Sequence, residues 1–220
     1  MSESAQQLLC EGLERLGIPS TTDQIGKIQL YLSELKRWNR RYGFLSHRER
    51  ASERQVIVRH VLDSLSAWKT LSTLGRRDRI ADVGSGAGFP GIPLAIFLPD
   101  SRFSLVEPSA TKSAFLSNIA ILGALENVEV LEKRLEQVDT RFDVVMFRAF
   151  SPLPRQLEFL MRIAESHGTI IAYKGKRTRI AEELAETDLD PRQVDVRPVS
   201  VPFLEEQRHL VVVRRSFSEA

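Results

Sequence analysis

The feature that most limits how this chain can fold is a glycine turn, Gly84-Ser85-Gly86-Ala87-Gly88. It lies between a short apolar run, Ile80-Ala81-Asp82-Val83, and a second apolar stretch that begins at Gly91. Three glycines at alternate positions permit positive φ and let backbone come close to a ligand. Pro93 falls in the first turn of the helix expected to follow, where a missing N–H is harmless. Strand, glycine turn and helix N-terminus in this order describe a nucleotide-cofactor site or, taken alone, an ordinary tight turn.

Two carboxylates favour the first reading and narrow the cofactor. Glu107 ends the next apolar run, Phe103-Ser104-Leu105-Val106, about twenty residues on, where an acid accepts hydrogen bonds from ribose hydroxyls. Asp82 stands two residues before the first glycine, where a pyrophosphate would face negative charge. S-adenosylmethionine (SAM) carries an ammonium and a sulfonium and no phosphate, so a carboxylate there favours SAM over NAD. The alternative for Asp82 is an N-cap or turn acid.

Around this centre the periodicity changes once. Residues 4 to about 70 read as helical. Leu8, Leu9, Leu13 and Leu16 lie at helix spacing before Gly17-Ile18-Pro19. Thr22 or Asp23 is the expected cap of a second helix carrying Ile25, Ile28, Leu32, Leu35 and Trp38, and a third starts near Ser52. From Arg79 strands expected near 79–83, 102–107, 127–131, 142–147 and 168–173 alternate with helices near 91–98, 109–123, 152–165 and 177–187. Such alternation implies a mostly parallel sheet covered on both faces. The last two runs, 194–199 and 209–213, have no helix between them and should pair antiparallel. Leu71 to Arg77 is the seam, giving an N-terminal helical subdomain at 1–71 and a cofactor domain at 72–220.

A formal charge of +2 does not by itself argue for nucleic acid, but its distribution does. Between Lys36 and His60, eight basic residues (Lys36, Arg37, Arg40, Arg41, Arg48, Arg50, Arg54, Arg59) meet two acids, Glu49 and Glu53, a balance of +6. A phosphate-contacting surface needs that concentration; a solvated helix face is the alternative. Lys174-Gly175-Lys176-Arg177 with Arg179 follows the fifth strand, at the sheet edge where open α/β proteins bind ligands. The acidic run Glu182 to Asp190 is assigned to the opposite, solvated side. Trp38 and Tyr42 read as core packing, with base stacking as the alternative. The one cysteine, Cys10, excludes an internal disulfide and a cysteine-based zinc site, and suits a reducing compartment. Without a signal-like N-terminus or an apolar run near the ~20 residues of a membrane span, a cytoplasmic chain is expected.

Asp82 to Pro93, read with Arg59-His60-Val61-Leu62-Asp63-Ser64, resembles the RsmG (GidB) family of bacterial 16S ribosomal RNA guanine-N7 methyltransferases. The resemblance continues through Arg134-Leu135-Glu136, Arg148-Ala149-Phe150, Lys174-Gly175 and Arg208-His209-Leu210-Val211-Val212. It implies a Rossmann-like class I SAM-dependent methyltransferase fold, a seven-stranded mostly parallel sheet with an N-terminal helical extension. It also implies SAM as cofactor, and 16S rRNA or the small ribosomal subunit as partner, with no metal and a monomeric chain. Under it, Asp82, Gly84, Gly86, Gly88, Phe89, Glu107, Leu135, Glu136 and Arg148 are the cofactor-side residues, with Leu135-Glu136 beside the adenine. Arg148 is also the expected catalytic residue, and Arg40, Arg41, Arg59, His60, Lys174 and Arg208 are expected on the substrate side. Asp63 is expected to orient or cap. If Arg148 were structural, Asp143 or Glu107 would be its partner.

The chain departs from the family twice. Tyr42-Gly43-Phe44-Leu45-Ser46 stands where the family has Tyr-Asn-Leu-Thr, and Glu107-Pro108 where it has Asp-Ser. The acceptor follows by exclusion. A pyrimidine C5 needs a cysteine adduct, for which Cys10 is badly placed. An exocyclic amine commonly needs Asp or Asn before Pro-Pro-Tyr, where this chain has Phe147-Arg148-Ala149-Phe150. Guanine N7 offers a lone pair and needs no base. A small-molecule methyltransferase and a non-catalytic SAM- or nucleotide-binding module are the competing readings.

Overall fold

The computed structural model describes residues 1–46, 52–149 and 152–215. Arg48, Glu49, Arg50 and Phe150, singled out above, lie outside them. The chain opens with α1 (Glu3–Leu16) and α2 (Thr22–Tyr42). A helical stretch follows: α3 (Glu53–Val56), a π-helical turn at Ile57–Leu62, α4 (Asp63–Leu65) and α5 (Trp68–Ser72). Then come β1 (Arg79–Val83), α6 (Gly91–Phe97), β2 (Arg102–Val106), α7 (Ala110–Leu122), β3 (Val128–Leu131) and β4 (Phe142–Arg148). The chain closes with α8 (Leu153–Ile163), β5 (Ala164–Lys174), α9 (Arg177–Ala185), β6 (Val194–Val199) and β7 (Arg208–Arg214).

The strands form one sheet in the order β3-β2-β1-β4-β5-β7-β6. The first five run parallel, and β7 is antiparallel to both β5 and β6. Alternate strand residues serve opposite faces. Ile80, Val144, Ile171 and Val212 pack against the N-terminal helices, α6 and α7, while Ala81, Val145, Ile170 and Val213 pack against α8 and α9. The first core runs without a break from Leu9, Leu13, Ile28 and Leu35 in the extension to Phe103 and Phe115. Each fully buried side chain of this kind contributes about 1.5–3 kcal/mol, so the extension is fastened to the sheet by its apolar face.

The expected boundaries shift at the start of α2 and at the junction of α8 with β5, and α9 ends at Ala185 instead of 187. The cap of α2 is Thr21, because Gln24 three residues on completes a reciprocal capping box with it, whereas Ile25 could not do so for Thr22. The strand expected at 168–173 begins at Ala164, and α8 stops at Ile163 instead of 165. The register explains why: Phe142 pairs with Ala164 but Val144 with Thr169, so β5 carries an irregularity of polar residues. At the other end of the extension, Gln24 donates to Ile96 O at 3.0 Å and Tyr31 Oη to Ala87 O at 2.6 Å. Helix α2 is thereby tied to both ends of the glycine turn and its helix. No described helix is long and apolar enough to cross a membrane.

Candidate active site

The strand order reverses between β1 and β4, and ligands of open α/β sheets bind at the carboxyl ends of such a pair. Gly84, Gly86 and Gly88 all take positive φ there, at 71°, 58° and 96°. Gly86 is half-exposed, and a Cβ on it would meet only Gly84 O at 3.7 Å, so its outer side is open to a ligand. Gly88 faces inward: a Cβ there would lie 2.8 Å from Ile92 Cγ1 and 3.1 Å from Tyr31 Oη.

Four of the five amides of this turn are already spent. Gly84 N and Ser85 N donate to Val106 O at 2.8 and 3.2 Å, and Gly88 N donates to Ser85 O at 2.7 Å. Gly86 N donates to Glu107 Oε2 at 2.9 Å, while Glu107 Oε1 accepts from Ser109 N at 2.9 Å. A phosphate cradle needs free amides and no facing carboxylate. This turn offers the reverse, and so fits a cofactor with cationic groups and a ribose whose hydroxyls can use the lone pairs left on Glu107. SAM meets that description and NAD does not.

Asp82 is completely buried below the turn, with Oδ2 accepting from Gly91 N at 2.9 Å. Its Oδ1 has no hydrogen-bond partner among the described residues. Burial pushes its pKa up to about 7, against the opposing pull of the Gly91 and Ser85 hydrogen bonds and the Arg148 charge. Asp82 thus takes the turn-acid position, and any effect on a cofactor passes through the turn above it. Phe89 is also buried, stacked on His60 at 4.9 Å with Tyr31 at 5.3 Å on another side. Leu135 is buried and Glu136 exposed in a 3₁₀ turn after β3.

Arg148, the last residue of β4, is held by three acceptors, all from the N-terminal extension. Nη1 donates to Asp63 Oδ2 at 2.8 Å and to Arg59 O at 3.0 Å, and Nη2 meets His60 Nδ1 at 2.9 Å. A guanidinium can only donate, so Nδ1 accepts and the neutral imidazole carries its proton on Nε2. The π-helical turn at Ile57–Leu62 brings Arg59 O, His60 and Asp63 to one side of the chain, a known use of such turns at functional sites. Asp63 Oδ1 accepts in addition from Arg208 Nε at 3.1 Å. The guanidinium carbon of Arg148 lies 5.3 Å from the Phe89 ring centroid.

The expected structural partners of Arg148 are therefore corrected. Asp143 sits at the far end of β4, five residues and about 16 Å away along the strand, and Glu107 is engaged by the glycine turn. Among the described residues, three acceptors use three of the five guanidinium N–H groups, leaving two donors.

Arg148 borders a cleft of about 800 Å³ at the carboxyl ends of β4 and β5. Six cationic side chains line it (Arg59, Arg148, Lys174, Lys176, Arg179, Arg208) against two carboxylates, Asp63 and Glu183, so the cleft suits a polyanion. Glu183 corrects the assignment of the acidic run to the opposite side: it turns inward, accepting from Lys174 Nζ at 2.6 Å and from Leu153 N at 2.9 Å. Arg59 pairs with Glu206 at the rim. Nothing in the sequence marked Glu183 or Glu206, which look like any surface acid until the fold is known.

The described members of the basic run before His60 lie on α2, α3 and the π-helical turn. Arg59 faces the cleft, Arg54 lies 5.6 Å from the Phe203 ring, and Arg40 and Arg41 are exposed at the end of α2. At that end Gly43 is left-handed with φ 63°, and Asn39 Oδ1 accepts from Leu45 N at 2.7 Å. Asn is the other residue that tolerates this conformation, so the Gly43 backbone is one that an asparagine could also adopt. Among the described residues, no group of metal-ligating side chains gathers.

The likeness to known proteins agrees with this geometry. Solved structures with the same fold include a SAM dependent methyltransferase from Aquifex aeolicus, with TM-score 0.54, 17% identity, and coverage of 70% of this chain and 93% of that one. M. jannaschii TYW2 in complex with AdoMet has TM-score 0.52 and 17% identity, covering 69% and 75%. Ribosomal RNA small subunit methyltransferase G of Geobacter metallireducens is 32% identical over 222 residues, 98% of either chain. The Stutzerimonas stutzeri protein of that name is 34% identical over 218 residues, again 98% of either chain, and the Treponema pallidum one 36% over 220, or 97% and 96%. The family model GidB, rRNA small subunit methyltransferase G, matches residues 24–211, which takes in α2, the π-helical turn, the glycine turn, Arg148 and Arg208. With SAM-type chemistry built into the turn and the match running through every part of the cleft, the chain belongs to the rRNA small subunit methyltransferase G family.

Proposed function

We propose that the protein transfers a methyl group from SAM to N7 of a guanine in 16S rRNA, with the base entering the cleft beside Arg148. The observation that carries this reading is the state of the cleft's potential bases. Asp63 is shared by two arginines, Glu183 is held by Lys174, and His60 accepts from Arg148 through Nδ1. An acceptor that must lose a proton would find none of these ready to take it. Guanine N7 presents an in-plane lone pair and loses no proton, so placement is the main requirement.

Gly84, Gly86, Glu107 and the Leu135-Glu136 turn would hold SAM, which supplies an electrophilic methyl carbon when bound. Arg148 keeps two N–H donors for guanine O6 or a flanking phosphate, orienting the ring without touching N7. Lys174, Arg179 and Arg208 supply phosphate contacts. The charge of the cleft supports RNA over a small neutral acceptor, and in this reading the chain works as a monomer on the small subunit in the cytoplasm.

The test is incubation with radiolabelled SAM and 16S rRNA or 30S subunits from a strain lacking the enzyme, followed by borohydride and aniline cleavage. Label at a cleavable guanosine supports N7; label in uncleaved nucleosides or in small molecules alone overturns it.

A further inference from the structure

The structure separates two aromatic residues that the sequence left together. Trp38 is half-buried and packs against the core, with its ring 5.6 Å from Phe115. Tyr42, the last residue of α2, is 45% exposed. It is nevertheless held in place: it stacks on Phe44 at 6.0 Å with 14° between planes, and Trp38 meets it at 5.5 Å. Phe44 in turn rests on fully buried Phe115 at 5.2 Å. Two rings thus hold Tyr42, and both of them pack on Phe115.

Cations adjoin it on its own helix. Arg40 and Arg41 are exposed beside the ring, with Lys36 one turn back, and the Arg41 guanidinium carbon lies 5.3 Å from the Tyr42 centroid. The platform is also continuous with the cofactor side of the sheet. Phe115 belongs to α7, which starts three residues after Glu107, and α2 itself holds the glycine turn through Tyr31.

We propose that Tyr42 is a stacking platform for an unpaired base of the substrate RNA, with Arg40 and Arg41 on the adjoining phosphates. This deepens the rRNA reading and rests on it. Every base has a π-face, so a rigid aromatic surface flanked by guanidinium groups binds single-stranded nucleotides without reading their sequence. Arg41 is an exposed side chain that a base can displace, and its plane can stack on that base in turn. The site would grip a nucleotide flanking the target, holding the loop open while another base occupies the cleft.

Stacking and phosphate contact leave different signatures, and the test uses that difference. Binding of unmethylated, in vitro transcribed 16S rRNA is measured against salt for the parent, Tyr42→Ala, Tyr42→Phe, Tyr42→Leu and the Arg40→Ala/Arg41→Ala double variant. Tyr42→Ala should weaken binding by about tenfold at every salt concentration, leaving the slope of log K against log salt unchanged. Tyr42→Phe should bind like the parent. The arginine double variant should lower both affinity and slope. SAM affinity should match the parent in every Tyr42 variant, which shows that the fold and turn are intact. The proposal is overturned if Tyr42→Ala binds like the parent or if Tyr42→Leu does as well as Tyr42→Phe. It is also overturned if the loss appears only with assembled 30S subunits and not with naked rRNA, which would mark a protein contact. Failure of the parent itself to methylate rRNA would instead overturn the function reading, so the two failures are distinguishable.

Discussion

Asp63 Oδ2 accepts from Arg148 Nη1 at 2.8 Å, although the two residues are 85 positions apart and lie in different layers of the fold. The carboxylate side chain is 6% exposed and the guanidinium 15%, so the pair is largely shielded from water. The other oxygen of Asp63 serves Arg208, which makes one acid the common anchor of two arginines from two strands. The extension thus aims the groups that the sheet delivers to the cleft.

Neutralising that anchor should be costly. Asp63→Asn leaves two guanidinium groups facing each other with the carboxylate charge between them gone, a loss of about 3–5 kcal/mol by the usual effect of breaking a buried pair. Urea unfolding should show it. At saturating SAM the variant should also lose methyl-transfer rate while its SAM affinity changes little, because its targets are the arginines and not the glycine turn. A variant with parent stability and parent rate would show that Asp63 anchors neither arginine.

Asp82 predicts a pH dependence of stability. Its folded carboxyl takes up a proton below about pH 7, against an unperturbed value of 3.8. Between those values the folded state binds one more proton than the unfolded state, so this group's contribution to stability falls as pH rises from 4 to 7 and is level above. Relative to Asp82→Asn, the parent should therefore lose stability across that window, with a slope of up to about 1.4 kcal/mol per pH unit. Urea titrations of both proteins at pH 4.5, 6 and 8 without SAM measure it. Parallel curves would mean that Asp82 is ionised throughout.

Glu107 should matter to the cofactor. Removing it frees the Gly86 amide and deletes the acceptor assigned to the ribose, and a hydrogen bond to a charged group contributes about 1.5–3 kcal/mol. Glu107→Ala should weaken SAM binding by at least about tenfold with the fold intact. Unchanged affinity by calorimetry would remove Glu107 from the site.

What the sequence made legible is what local spacing controls. The unit from Arg79 to Phe97 and the alternation of strands and helices follow from residues close together in the chain. So does the antiparallel end, because no helix separates β6 from β7. The two acids beside the glycine turn, Asp82 and Glu107, were located in the same way, by counting from the glycines. The partner of Arg148 was not, since Asp63 reaches it only after the extension folds over the sheet. Nor was the inward turn of Glu183, which requires α9 to pack against α8. Tyr31, a buried residue of α2 that the helix spacing did not single out, holds the carbonyl of Ala87 through its hydroxyl. The start of β5 was missed because Glu165, Ser166 and His167 show no apolar alternation and are tolerated only where the register slips.

The central claim is that Arg148, set by the extension, serves the acceptor and not the cofactor. Its direct test is single-turnover methyl transfer to 16S rRNA by Arg148→Ala at saturating SAM, with SAM affinity measured on the same preparation. The account predicts SAM affinity within a few-fold of the parent and a rate lower by a factor on the order of 10². Arg148→Lys should recover little of that rate, because the planar fork is lost. An alanine variant that methylates at the parent rate, or one that no longer binds SAM while still folded, would contradict it.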